Sequence, residues 1–191
     1  GHAMLVDGAL AGIGVRESGS DVAKVLGRQA SAIVWRTFAQ SALEEMAAHA
    51  GVPVVNALTD DFHPCQLLAD LLTVQEHKGA LAGLRVGFVG DAACNMGNSW
   101  LLAGATAGMH VTLSGPEGYL PSAEMFQRAA DITSYAGGSV RAEADPVEAV
   151  RDVDVVVTDT WVSMGKEGEA ADRERVCGPW SLTPELLAHA A

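Results

Sequence analysis

The chain has 191 residues, 49% of them apolar and 19% charged, which is enough apolar material to bury a sizeable core and too much for a disordered chain. A formal net charge of −12, with no cluster of Lys or Arg, argues against a nucleic-acid partner, because binding a phosphate backbone needs a basic face that displaces counterions. Cys65, Cys94 and Cys177 are widely spaced and form no C-x-x-C pair, which fits reduced thiols better than disulfides or a zinc site; no apolar run approaches the roughly 18 residues of a bilayer span, so the expectation is a cytoplasmic protein with no membrane partner.

In chain order, Gly1-His2-Ala3-Met4 is read as native chain leading into a short strand. Helical patterns at 20–28 and 39–49 alternate with apolar, β-branched runs at 32–35 and 52–55. Asp60-Asp61-Phe62-His63-Pro64 interrupts the alternation, and a long helix over 66–78 follows, ending in a Gly/Ala-rich turn; the domain boundary is placed within 59–79. Strands at 84–89, 110–113, 139–142 and 153–158 then alternate with helices at 95–108, 122–136 and 146–150. Such an order predicts parallel sheets with helices on both faces, since parallel neighbours need a crossover helix, and it places ligands where strand ends meet helix N-termini.

Four stretches at such positions carry chemistry. Arg36 lies just beyond a buried-looking apolar strand, where its guanidinium serves either an ordinary salt bridge or an oxyanion and phosphate. In Phe62-His63-Pro64-Cys65-Gln66, Pro64 fits a first helical turn; His63 either caps that helix or projects with Gln66, one turn on, towards an anion or a polarised carbonyl. Gly87, Gly90 and Gly97 do not give the G-x-G-x-x-G spacing of a dinucleotide loop, and Asn95 and Asn98 are either caps or, for Asn95, an amide for a carboxylate. Asp159 follows an apolar strand read as central in its sheet. It is either a turn acid or the partner of a substrate ammonium, with Ser163 adding a hydrogen bond.

In order and spacing, the run 62–66, the Gly90-Asp91 and Asn95-Met96-Gly97-Asn98-Ser99 stretch, and Asp159-Thr160-Trp161-Val162-Ser163-Met164-Gly165 resemble the ornithine branch of the aspartate/ornithine carbamoyltransferase family, over essentially the whole chain. His-Pro-x-Gln is shared across that family, whereas Ser-Met-Gly marks the ornithine branch and disfavours the aspartate and putrescine enzymes. The resemblance implies an α/β protein of two doubly wound parallel-sheet domains, the first incomplete. Residues 1–62 would be the second half of a carbamoyl-phosphate domain, 63–79 an interdomain helix, and 80–191 most of an ornithine domain. It also implies a homotrimer with sites near subunit interfaces, and a reaction that uses no metal and no cofactor.

By position, Arg36, His63 and Gln66 would bind carbamoyl phosphate, and Arg36 and His63 would stabilise the developing oxyanion as the catalytic pair. Asn95 and the backbone of Met164 would hold ornithine's α-carboxylate; Asp159 and Ser163 would hold its α-amino group. The implied reaction is attack by ornithine's neutral side-chain amine on carbamoyl phosphate, giving citrulline and phosphate, a step of arginine metabolism. The family's Ser-Thr-Arg-Thr phosphate loop is expected upstream of Gly1 and its His-Cys-Leu-Pro segment beyond Ala191. Within the chain, Gly12 aligns with a carbamoyl-phosphate-binding glutamine and Cys94 with a usual asparagine. Two functions follow as alternatives: a segment of the complete enzyme, or a non-catalytic homologue that binds ornithine or docks onto a complete subunit.

Overall fold

The computed structural model describes residues 1–162 and 167–191, which divide into two units, Gly1–Phe62 and His63–Ala191. In the first, helices α1 (Gly8–Ala11) and α2 (Gly19–Leu26) precede strand β1 (Ile33–Arg36), helix α3 (Gln40–Ala50) and strand β2 (Val54–Leu58). Ser18 caps α2 by accepting a hydrogen bond from the Asp21 N–H, and Gly51 ends α3 in the left-handed conformation that glycine adopts without strain. β1 and β2 pair in parallel, and the register shifts between Trp35 and Arg36. Ala23, Met46 and Ala50 form a small core beneath them, with Ile33, Trp35 and Val54 packed against it.

The second unit runs α4 (Pro64–Lys78), β3 (Arg85–Val89), α5 (Asn95–Thr106), β4 (His110–Ser114), α6 (Ala123–Ala136), β5 (Ser139–Ala142), α7 (Pro146–Val150) and β6 (Val155–Val157). It closes with α8 (Ala170–Cys177) and α9 (Pro184–Leu187), the former preceded and followed by a single 3-10 turn. Its four strands are all parallel, in the order β5-β4-β3-β6. The chain therefore builds outward from β3 to β5 and then returns to the other side of β3, so the order reverses between β3 and β6. In open α/β sheets the ligand crevice opens at such a point, beyond the carboxyl ends of the strands.

Strand alternation explains how both faces are covered. Val86 and Phe88 of β3, with Val111 and Leu113 of β4, join the large core that includes Trp100 and Leu101 of α5 and Ala129 of α6. On the opposite face, Val89 joins Val150, Val153 and Leu186, a cluster built from α7 and α9. The α/β reading with parallel sheets holds, and the second unit is wound on both faces.

Several boundaries differ from expectation. Residues 1–7 form neither helix nor strand, so the short strand expected after Met4 is absent. β2 starts after Pro53 rather than at Val52, since proline has no N–H to give a ladder, and continues to Leu58. The strand expected at 153–158 and read as central spans only Val155–Val157 and is an edge strand among the described residues. Val153 leaves the ladder because Val150 accepts its N–H in a turn and its side chain packs with α7 and α9.

Candidate functional site

Beyond the neighbouring carboxyl ends of β3 and β6, the β3–α5 loop lies against the residues that follow β6. Gly87, Gly90 and Gly97, which failed to make a dinucleotide signature, are each explained by close packing. A Cβ at Gly87 would press on the Ala149 carbonyl, one at Gly97 would collide with the Ala92 carbonyl, and one at Gly90 would lie 2.7 Å from Trp161 Nε1. Gly90 also has φ +120°, a conformation closed to other residues. The Trp161 indole thus lies against the carboxyl end of β3 because no side chain occupies that place.

Asp159 follows β6 by two residues and is half-buried. Cys94 is the N-cap residue of α5. The Cys94 thiol is pushed up to about 11, first by burial, with the negative charges of Asp91 and Asp159 adding to the rise and the Gly97 and Met96 amides opposing it. Asn95 is the first residue of α5 and half-buried. Asn95 and Asp159 thus each follow one of two neighbouring strands, β3 and β6, at the point where the sheet's order reverses.

His63 joins this unit through its main chain. It is the N-cap residue of α4, its ring makes no capping bond, and its backbone N–H donates to Ser99 Oγ at 2.8 Å. Ser99 is buried one turn beyond Asn95 on α5. Gln66, exposed on the first turn of α4, donates through Nε2 to Asp70 Oδ1 at 2.8 Å. Arg36 lies in the other unit as the last residue of β1, exposed, and has no ion-pair partner among the described residues. Ser163 and Met164 lie outside the described residues.

Sequence reasoning gave no role to Arg173, Asp91 or Ser99. Arg173 is 7% exposed and Asp91 5%, and Arg173 NH1 donates to Asp91 Oδ2 at 2.6 Å. The same guanidinium donates to Glu169 Oε2 at 2.7 Å and to the Trp161 carbonyl at 3.2 Å, and it lies 5.5 Å from the centre of the Tyr119 ring. Burial works against its charge, but Glu169 and Asp91 outweigh that and raise its pKa. The one available signal was the Glu169–Arg173 spacing, a helical i,i+4 pair. Gly12, aligned with a family glutamine, ends α1 at φ +60°, where a side chain would be strained and would meet Arg16 Cδ at 2.9 Å.

Two family models match the chain. "Aspartate/ornithine carbamoyltransferase, carbamoyl-P binding domain" matches residues 1–76, and "Aspartate/ornithine carbamoyltransferase, Asp/Orn binding domain" matches residues 82–191. The first includes most of α4, although Leu67 and Val74 of that helix are buried in the core of the second unit. An ornithine carbamoyltransferase of Clavibacter sepedonicus is 57% identical over 190 residues, covering 100% of this chain and 62% of the relative. Among solved structures, the Pyrococcus furiosus ornithine carbamoyltransferase has a TM-score of 0.87 at 40% identity, covering 92% of this chain and 56% of that one. The Thermus thermophilus ornithine carbamoyltransferase has a TM-score of 0.85 at 39% identity, covering 100% and 60%. The chain thus spans less than two thirds of the length of these relatives. With matches running from its first residue to its last, it belongs to the aspartate/ornithine carbamoyltransferase family.

Proposed function

We propose that this chain carries the ornithine site, and part of the carbamoyl-phosphate site, of an ornithine carbamoyltransferase. The observation that carries the reading is that Asn95, the first residue of α5 after β3, and Asp159, two residues past β6, follow the two neighbouring strands at which the sheet's order reverses. An α-amino acid presents a carboxylate and an ammonium a few ångströms apart. A helix N-terminus with the Asn95 amide suits the first, and the Asp159 carboxylate suits the second. The Ser163 hydroxyl and the Met164 backbone complete the set by resemblance to the family.

In the reaction, ornithine's neutral side-chain nitrogen attacks the carbonyl carbon of carbamoyl phosphate. The new N–C bond forms, the C–O bond to phosphorus breaks, and inorganic phosphate leaves as the nitrogen loses a proton. Arg36 and His63 stabilise the negative charge that develops on the carbonyl oxygen, and Gln66 helps orient the carbamoyl group. The helix over 63–79 joins the two domains, and the working assembly is a cytoplasmic homotrimer. The acidic net charge and the three free cysteines support that setting.

The test uses L-norvaline, which has ornithine's carbon chain and α-groups but no side-chain amine. Asp159→Asn removes a charge-assisted contact of roughly 1.5–3 kcal/mol and should weaken norvaline binding by about tenfold to a hundredfold. Unchanged affinity in a calorimetric titration would remove Asp159 from the site.

A further inference from the structure

We propose that Arg173 is a positioning residue for the amino-acid substrate, locking both arms of the ornithine site onto one buried carboxylate, that of Asp91. The inference rests on the reading that Asp159, Ser163 and Met164 bind ornithine. Asp91 follows β3 directly after Gly90, and its two oxygens face different segments. Oδ1 accepts the Ala93 N–H at 3.2 Å, in the loop that leads into Cys94 and Asn95. Oδ2 accepts from Arg173 at 2.6 Å. Arg173 in turn holds the Trp161 carbonyl and the Glu169 carboxylate, residues that flank Ser163 and Met164 in the sequence. The Trp161 indole is seated on Gly90, next to Asp91 itself.

One guanidinium therefore ties the backbone before the Ser-Met-Gly run, and the helix start after it, to the strand end from which the Asn95 loop also departs. Only arginine offers donors in several directions from one planar group, and the Tyr119 ring lies beneath that plane. A buried ion pair is weak support for stability, since apolar side chains of similar volume often stabilise a core as well. Its retention here, with every partner at the carboxyl end of the sheet, points to geometry as its use.

The experiment compares R173Q and R173K with the parent in the intact protein. It measures KM for ornithine, KM for carbamoyl phosphate, norvaline affinity and melting temperature. R173Q should raise ornithine KM and norvaline Kd by at least about tenfold, as misplacement of a binding loop by a fraction of an ångström does, and leave carbamoyl-phosphate KM within about twofold. R173K keeps a charge opposite Asp91, but its three donors radiate from a single nitrogen and cannot span acceptors that the guanidinium reaches through both Nε and NH1, so it should show the same selectivity to a smaller degree; it also decides the matter if R173Q does not fold.

Unchanged norvaline binding in R173K and R173Q overturns the proposal, as does an equal loss for both substrates together with a lowered melting temperature. Asp159→Asn in parallel separates the two levels. If that variant binds norvaline normally, the ornithine reading itself fails. If it binds weakly while the Arg173 variants bind normally, only the positioning role fails.

Discussion

His63 shows how a single residue can be positioned through its backbone. Its position is set by the backbone N–H bond to Ser99 Oγ, by Pro64 in the first turn and by the N-cap conformation. Truncating the ring leaves all three in place. His63→Ala should slow turnover at least about a hundredfold, the cost of one lost oxyanion donor at about 3 kcal/mol. Steady-state kinetics on the intact protein checks this, and an unchanged kcat takes His63 out of the mechanism. His63, Gln66, Asn95 and Asp159 could be proposed from the sequence because each belongs to a short run with its own spacing. Arg173 could not, because its partner Asp91 lies 82 residues away and nothing local marks the pair.

At the scale of elements, α5 combines a site and a liability. Cys94 is its N-cap residue, and burial holds the Cys94 thiol pKa near 11 against an ordinary 9.0. Below pH 9 the thiol is protonated in both folded and unfolded chains and contributes no pH dependence. Between about pH 9 and 11 the unfolded chain releases the proton and the folded one keeps it, so unfolding becomes easier as pH rises, by a total on the order of 2 kcal/mol. Urea melts across that range should show the slope in the parent and a shallower one in Cys94→Ser; identical slopes would show that burial does not hold the thiol neutral. The same element was easy to anticipate, because the polar segment 95–99 leads into the apolar run 100–105. α8 was not: its sequence AADRERVC buries only Arg173 and Cys177, so it has no apolar stripe to read. α9 left a signal that went unread, Thr183 as cap followed by Pro184 and Glu185, with Thr183 Oγ1 accepting the Leu186 N–H.

Across the whole molecule, apolar burial is divided unequally. The second unit buries Val86, Phe88, Leu101, Val111 and Leu113 almost completely, whereas β1 alternates half-buried with exposed residues and pairs only with β2 among the described strands. Two-stranded pairs with a small core are marginal. Hydrogen exchange on the 191-residue chain should find the amides of β1 and β2 at least about tenfold less protected than those of β3 and β4. Equal protection would mean that the small core around Met46 is stronger than its area suggests. The α/β class was legible from alternating runs, but the edge placement of β6 was not, since strand order depends on which helices cover which face.

That strand order also sets when the site can exist. Asp91 leaves β3 early in the second unit, and the guanidinium that meets it arrives only after β4, β5 and β6 have been laid down, 82 residues on. Closing so long a loop is entropically costly until the intervening sheet has shortened the path. The crevice proposed to take the amino acid is thus expected among the last features of the fold to assemble and among the first to open, so that partly unfolded chains would lose the proposed recognition before they lose their sheet.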